Sequence, residues 1–404
     1  MMNSKLIGGI LLVTGTTIGA GMLALPVATA QLGFVGSLIL LIVGWAIMLV
    51  SAFLFLEVNL RLPSNTNLIS MVGVTLGKGG QAIAWVVYLL FMYSILSAYT
   101  AGGGDLFHYV LSNSGVTISP SMSAALFTFL FGLIVCFGIR AVDYANRGLM
   151  FGKMGSYLML VILVLPFVST GLLMDGEFKH IFSPTSLTVT SLAFSNLIII
   201  PSLRTYFNDD ITSLKKAIFI GTTIPLICYI AWDLVILGVV PLHGASGFNE
   251  IVNSSNSNSA LLSALMHFLQ QDNILVIAKF FTSICMATSF LSVALSLSDF
   301  LADGLRTQKQ GLRGMLINSM TLLPPVIIVI YYPDTFMRAL NFGGIFCLIL
   351  MVMFPALMAW RGRYYEHLLV QKNTLVQVGG GKMLLVFLMT FATLLIGYGL
   401  HSTI

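Results

Sequence analysis

Eleven times along this chain an apolar run reaches about 20 residues, the length that crosses a bilayer core. The runs cover roughly 6–31, 34–60, 82–111, 121–139, 149–173, 187–207, 217–240, 274–304, 315–332, 335–358 and 384–401. Backbone N–H and C=O groups in lipid need internal partners, so runs of this length predict a bundle of membrane helices, an all-α integral membrane fold. Only 8% of the residues are charged, against about 25% in soluble domains. The third and eighth runs are long for a perpendicular crossing and are expected to tilt or project.

Lysine and arginine orient the bundle. With the N-terminus inside, sixteen of the nineteen fall in cytoplasmic segments, from Lys5 to Arg361, Arg363, Lys372 and Lys382. The outer loops hold only Lys179; Lys279 and Arg338 lie within runs near the outer face. Eleven crossings then put the N-terminus in the cytoplasm and the C-terminus on the far side. The net charge of +5 therefore reflects topology. No basic patch with interleaved aromatics exists to bind nucleic acid. Lys5, the first run and Ala28-Thr29-Ala30 imitate a signal peptide. That run is too long and too glycine-broken, so an uncleaved first helix is expected.

Several chemistries are excluded as expectations. Cys136, Cys228, Cys285 and Cys347 lie inside apolar runs without CxxC spacing and are expected to be small buried apolar residues. The six histidines lack metal-ligand spacing, so neither metal nor cofactor is expected. Gly73, Gly77 and Lys78 have the wrong spacing for a phosphate loop, and Gly79 stands where Ser or Thr is needed. No paired nucleophile and base suggests an enzyme, and no run is polar enough to line a channel. Transport driven by an ion gradient, or by the substrate's own gradient, is what such a chain can do.

Gly15-Thr-Thr-Ile-Gly-Ala-Gly-Met-Leu-Ala-Leu-Pro26 sits in the middle of the first run. Glycines loosen a helix and proline removes a donor. A broken helix at mid-membrane is tolerated only beside a cavity or within protein, and secondary transporters use one to hold a small polar substrate. Gly15 and Gly19 also form a small-xxx-small pair that would serve helix packing. Elsewhere, Leu261, Leu262, Leu265, Met266, Phe268 and Leu269 in the outer loop 242–273 predict a short amphipathic helix over the outer mouth or in the headgroups. Glu57, deep at the inner end of the second run, is expected to pair with a cytoplasmic base. Asp299 and Asp303 share one helix face, and Asp143 shares an inner loop with Arg140 and Arg147.

The Gly15–Pro26 stretch resembles the first-helix signature of the hydroxy and aromatic amino acid permeases, nearest their tyrosine-specific branch. Other matches follow in order: Val142-Asp143 with Asn146-Arg147 and Lys153, Ala287-Thr-Ser-Phe-Leu291, Asp299-Phe-Leu-Ala-Asp303, Leu323-Pro-Pro325 and Tyr332-Pro333. The resemblance implies a bacterial inner-membrane protein that imports aromatic amino acids with protons. It implies the fold of the leucine-transporter class: one transmembrane domain over 1–404, with inverted repeats of five helices over about 6–173 and 187–358, and an eleventh, extra helix at about 384–401. The sixth span departs from the family's glycine- and histidine-bearing pattern. Phe194-Ser-Asn-Leu-Ile-Ile-Ile-Pro201 leaves Ser195, Asn196 and Pro201 to support a break.

An amino acid presents a carboxylate and an ammonium. N–H groups of Gly19, Ala20 and Gly21 at a half-helix start suit the carboxylate, with hydroxyls of Thr16 or Thr17 beside them. Unwound residues around Ser195 and Asn196 offer oxygens to the ammonium. Tyr93 and Tyr99 on the third span are candidates for the aromatic wall, or for ordinary packing. In proton-coupled members of the fold class a lysine at the position of Lys153 replaces a sodium ion between spans 1, 5 and 8. Lys153 is otherwise a snorkelling inner-edge lysine. Thr288 and Ser289 stand where sodium-coupled relatives place ion ligands. The leading expectation is a proton symporter with tyrosine as favoured substrate; the alternative is a sodium-coupled transporter of another neutral amino acid.

Overall fold

The structure, a computed structural model, describes residues 4–64, 66–116, 118–254, 257–332, 335–365 and 377–403, and every regular element among them is helical. Pro333 and Lys372 lie outside the described residues. In chain order the helices are α1 (Ser4–Thr17), α2 (Gly21–Thr29), α3 (Gly33–Asn59), α4 (Leu68–Asn113), α5 (Pro120–Cys136), α6 (Ile139–Val164), α7 (Thr170–Leu173), α8 (Pro184–Ala193) and α9 (Ile200–Tyr206). They continue with α10 (Ile211–Leu237), α11 (Phe248–Asn253), α12 (Ser257–Leu269), α13 (Asp272–Gly304), α14 (Gly311–Tyr331), α15 (Thr335–Leu348), α16 (Phe354–Tyr364) and α17 (Gly381–Thr403).

Nine helical stretches among the described residues are long and apolar enough to cross a membrane. The sequence expects eleven, and the difference lies at two places. α1 stops after 14 residues, and α2 runs through a tight turn at Ala30–Leu32 to α3. α5 has only 17 residues. Local chemistry sets the ends. Asn67 caps α4 by accepting from the Ser70 N–H at 2.9 Å, and Ser119 caps α5 with Pro120 next. Asp210 caps α10, and its hydrogen bonds with Ser213 and Thr212 hold its carboxyl below the usual carboxylate range.

Two boundaries differ from the sequence reading. The third span begins within α4, which starts at Leu68 and kinks at Gly77, whose φ of +82° only glycine adopts readily. α6 starts at Ile139, well ahead of the expected 149, because its first turns carry Arg140, Asp143 and Arg147. Their polarity hides helix from an apolar-length criterion. Arg147 and Asp143, expected in a loop, form a helical ion pair at 2.9 Å.

An inner set of helices is wrapped by an outer one. The apolar window is 72% buried in both α13 and α15–α16 but 22% in α17 and 28% in α6 and α14. Leu312, Phe151 and Met383 on the outer helices are fully exposed, as lipid-facing residues should be. Cys136 departs from the expected burial: it ends α5 on the bundle's exterior, whereas Cys285 and Cys347 are buried. A weakly polar thiol suits either setting. In the outer loop, α12 buries Leu261, Leu262, Leu265 and Leu269 against protein, including α4 and α13, rather than in headgroups. Ser259 fixes its start by donating from N and Oγ to Asp105 on α4, at 2.9 and 2.6 Å.

The helix ends at the Glu57 face are tied by charge. Glu57 Oε2 accepts from Arg363 at 2.5 Å and from the Val378 N–H at 3.0 Å, and its Oε1 accepts from Arg61 at 3.1 Å. Arg61 also donates to the Gly362 carbonyl at 2.6 Å. Between α15 and α16 the helix widens into a π-turn at Ile349–Met353, where Ser51 Oγ donates to the Met351 carbonyl. Arg204 on α9 donates to the Asn59 and Leu62 carbonyls that close α3. Glu57→Gln would leave two buried guanidiniums with no countercharge. Breaking such a buried pair costs about 3–5 kcal/mol. Thermal unfolding of the purified variant in detergent is expected to show a clearly lowered midpoint; an unchanged midpoint would refute this assignment.

Candidate substrate and ion site

Two helices break inside the bundle, and their breaks meet. α1 ends at Thr17 and α2 begins at Gly21; α8 ends at Ala193 and α9 begins at Ile200. The first break falls within the glycine–threonine cluster where the sequence expects it. Thr16 and Thr17 both donate to the Val13 carbonyl at 2.8 Å, a bond that competes with the helix ladder. Beyond them Gly19 and Gly21 hold no side chain to brace a turn. Backbones approach closely here: a Cβ on Gly21 would stand 3.8 Å from Ala193 Cα.

Side chains from other elements take up the freed backbone groups. Tyr229 of α10, fully buried, shares its one hydroxyl hydrogen between the Thr17 carbonyl at 2.8 Å and the Ala193 carbonyl at 3.0 Å. It thereby spans both broken helices, and the Phe194 ring lies against it at 5.2 Å between centroids. Asn196 Nδ2 donates to Thr17 Oγ1 at 3.3 Å. Lys153 of α6 is 3% exposed, and its Nζ donates to the Ile18 carbonyl at 2.8 Å. Ser289 of α13 accepts from the Ala20 N–H at 2.8 Å. A Cβ on Gly19 would meet that Ser289 oxygen at 2.9 Å, so glycine lets α13 approach. Among the described residues the Gly19 N–H has no hydrogen-bond partner.

The structure thus gathers Thr17, Gly19, Ala20, Gly21, Asn196, Lys153 and Ser289 around one junction. Ser195 lies beside Asn196, half-buried. Three expected residues make no side-chain hydrogen bond to the junction among the described residues. Thr16 is exposed on α1. Tyr93 donates its hydroxyl to the Met320 carbonyl on α14 at 2.7 Å, which turns it away from the junction. Thr288 donates to the Ile284 and Cys285 carbonyls of its own helix. Tyr99 is buried in α4. Sequence reading misses Tyr229, because a tyrosine within an apolar run reads as packing. It also misses Asp233, an ionisable residue in the seventh span that the rule for intramembrane charge would have flagged.

Helices broken against each other inside a membrane bundle, with backbone groups gathered between them, are the arrangement that secondary transporters use. This chain belongs to the tryptophan/tyrosine permease family, whose model matches residues 2–398. It is 30% identical over 395 residues to tyrosine-specific transport system 1 of Haemophilus influenzae, covering 97% of this chain and 96% of that one. It is 30% identical over 403 residues to the tryptophan-specific transport protein of the same organism, covering 96% and 94%. The crystal structure of MhsT in complex with L-phenylalanine matches with a TM-score of 0.62 at 14% identity, over 98% of each chain, so the fold is shared. Family and relatives are permeases, not enzymes, and this chain is a multi-pass membrane protein.

Tyr229→Phe removes the hydroxyl and strands two buried carbonyls, each loss being worth about 1–3 kcal/mol. Initial uptake by the variant is expected to fall about tenfold, equivalent to ~1.4 kcal/mol, at unchanged membrane abundance. Wild-type uptake would show that the bridge between the two breaks is dispensable.

Proposed function

We propose that this chain is a proton-coupled importer of aromatic amino acids, with tyrosine as first substrate, working by alternating access around the α1–α2 and α8–α9 junction. The observation that carries the reading is the Lys153 ammonium on the Ile18 carbonyl, beside Ser289. A metal ion at that junction would need the same carbonyl, and a cation already resident there repels it. A desolvated lysine can release its proton, so the contact between α6 and the first span can be made and broken in a cycle. This disfavours the sodium-coupled alternative. The substrate carboxylate is assigned to the free Gly19 N–H and the positive start of α2. Ala20 serves indirectly, since its N–H is held by Ser289. Carbonyls around Ser195 and Asn196 receive the ammonium, and Tyr99 contributes to the aromatic wall.

The topology belongs to the same proposal. Eleven crossings are reached by counting the broken first span and α5, with inverted repeats over about 6–173 and 187–358 and an extra helix at 384–401. The charge asymmetry supports a cytoplasmic N-terminus and a periplasmic C-terminus in a bacterial inner membrane. Tyrosine uptake by proteoliposomes under an imposed inward pH gradient, without sodium, tests the reading, and competition by the twenty amino acids tests the substrate. Lys153→Ala is expected to lose pH-driven accumulation while still binding tyrosine. Normal accumulation by that variant would remove Lys153 from coupling, and strict sodium dependence of the wild type would overturn the proton.

A further inference from the structure

Asp233 lies near the end of α10 and is wholly buried. Ser37 Oγ of α3 donates to its Oδ2, and Thr29 Oγ1, the last residue of α2, lies 3.4 Å from the same oxygen. Among the described residues Oδ1 has no partner, and Asp233 forms no ion pair. Elements packed on α10 offer it no countercharge. α2 and α7 carry no ionisable residue. Glu57 of α3 is held by Arg61 and Arg363, and Arg204 of α9 by Asp209. On α6, Lys153 donates to Ile18, and Tyr157 donates to the Cys228 carbonyl. Lys5 of α1 lies over the Tyr206 ring. Tyr229, one turn away on α10, is committed to the two breaks.

The surrounding donors are few. Thr29 has one hydroxyl hydrogen and donates it to the Leu25 carbonyl at 2.8 Å. With that hydrogen engaged, Thr29 gives Asp233 only a weak contact at 3.4 Å, beyond the usual O–H···O range. An ionised carboxylate with one oxygen bare and no countercharge is also strongly disfavoured in a membrane interior. A neutral carboxyl fits these surroundings, with Ser37 of α3 donating to it and Thr29 of α2 beside it.

We propose that Asp233 is a second proton site, one whose proton latches the outer half of the broken first span. The proposal rests on the proton-coupled reading above. α2 starts at the substrate junction and ends at this latch. Moving α2 withdraws Thr29 and admits water, and the carboxyl then loses its proton to solvent. Proton occupancy and the position of α2 bias each other by the same factor, which is what coupling means thermodynamically.

The test uses wild-type protein and variants in proteoliposomes with radiolabelled tyrosine. Asp233→Asn keeps the shape and a neutral hydrogen-bonding group but cannot titrate. It is expected to retain counterflow exchange, to lose at least tenfold of the accumulation driven by an inward pH gradient, and to show exchange that no longer varies with pH as in the wild type. Wild-type accumulation and pH profile in this variant would overturn the proposal. Should Asp233→Asn lose exchange as well, Asp233→Glu decides: recovery of pH-driven accumulation supports a titrating carboxyl, and no recovery overturns it. Wild-type protein without pH-driven accumulation fails earlier, at the importer reading, and takes this proposal with it.

Discussion

Backbone polarity inside lipid is the constraint on which this structure turns. The unbroken helices meet it internally, each N–H finding a carbonyl one turn away. Two helices do not, and the rest of the bundle is arranged around what they leave open. Tyr229 comes from α10, Lys153 from α6 and Ser289 from α13, each to a separate backbone group of the first break. The partners come both from a well-buried helix, α13, and from the outer α6. A break costs several kcal/mol per unmet group, so it persists only where such side chains converge. The site and the packing of the core are one problem with one solution.

Much of this is written in the sequence at the level of residue type. The first break is legible because Gly19 and Gly21 with Thr16 and Thr17 cannot brace a helix. Lys153 is legible because a lysine in an apolar run has few reasons to be there. The second break is fainter: only Ser195, Asn196 and Pro201 mark it, and Asn196 acts by reaching Thr17. Tyr229 is illegible because its role depends on two carbonyls from segments distant in sequence. Tyr93 shows the converse. It sits on the right helix, but which way it faces is settled by Met320 on α14. Helix ends obey the same division. Gly77 and the polar opening of α6 move boundaries that an apolar-length count cannot see.

The two faces of the bundle are held by different chemistry. On the Glu57 side, buried charges meet in an arginine-rich cluster that ties α3 to α16. On the Asp233 side, one fastening is a buried carboxyl among hydroxyls. Charge clusters resist opening because parting them exposes bare ions to low dielectric. Hydroxyl fastenings yield more easily, since water replaces each bond at little cost. The asymmetry leaves the α2 end of the first span the more readily moved.

The π-turn at Ile349–Met353 sets the angular register of everything after it. Such a turn holds one residue more than an α-helical turn. The widened turn absorbs that residue and leaves α16 near its regular direction, whereas the same extra residue wound into an α-helical turn would swing α16 by about 100°. Arg363 would then leave Glu57, although no residue of the charge cluster had changed. The wide turn thus takes up an inserted position and keeps a guanidinium aimed at Glu57, and the winding of this helix is as much a part of the cluster as its charges.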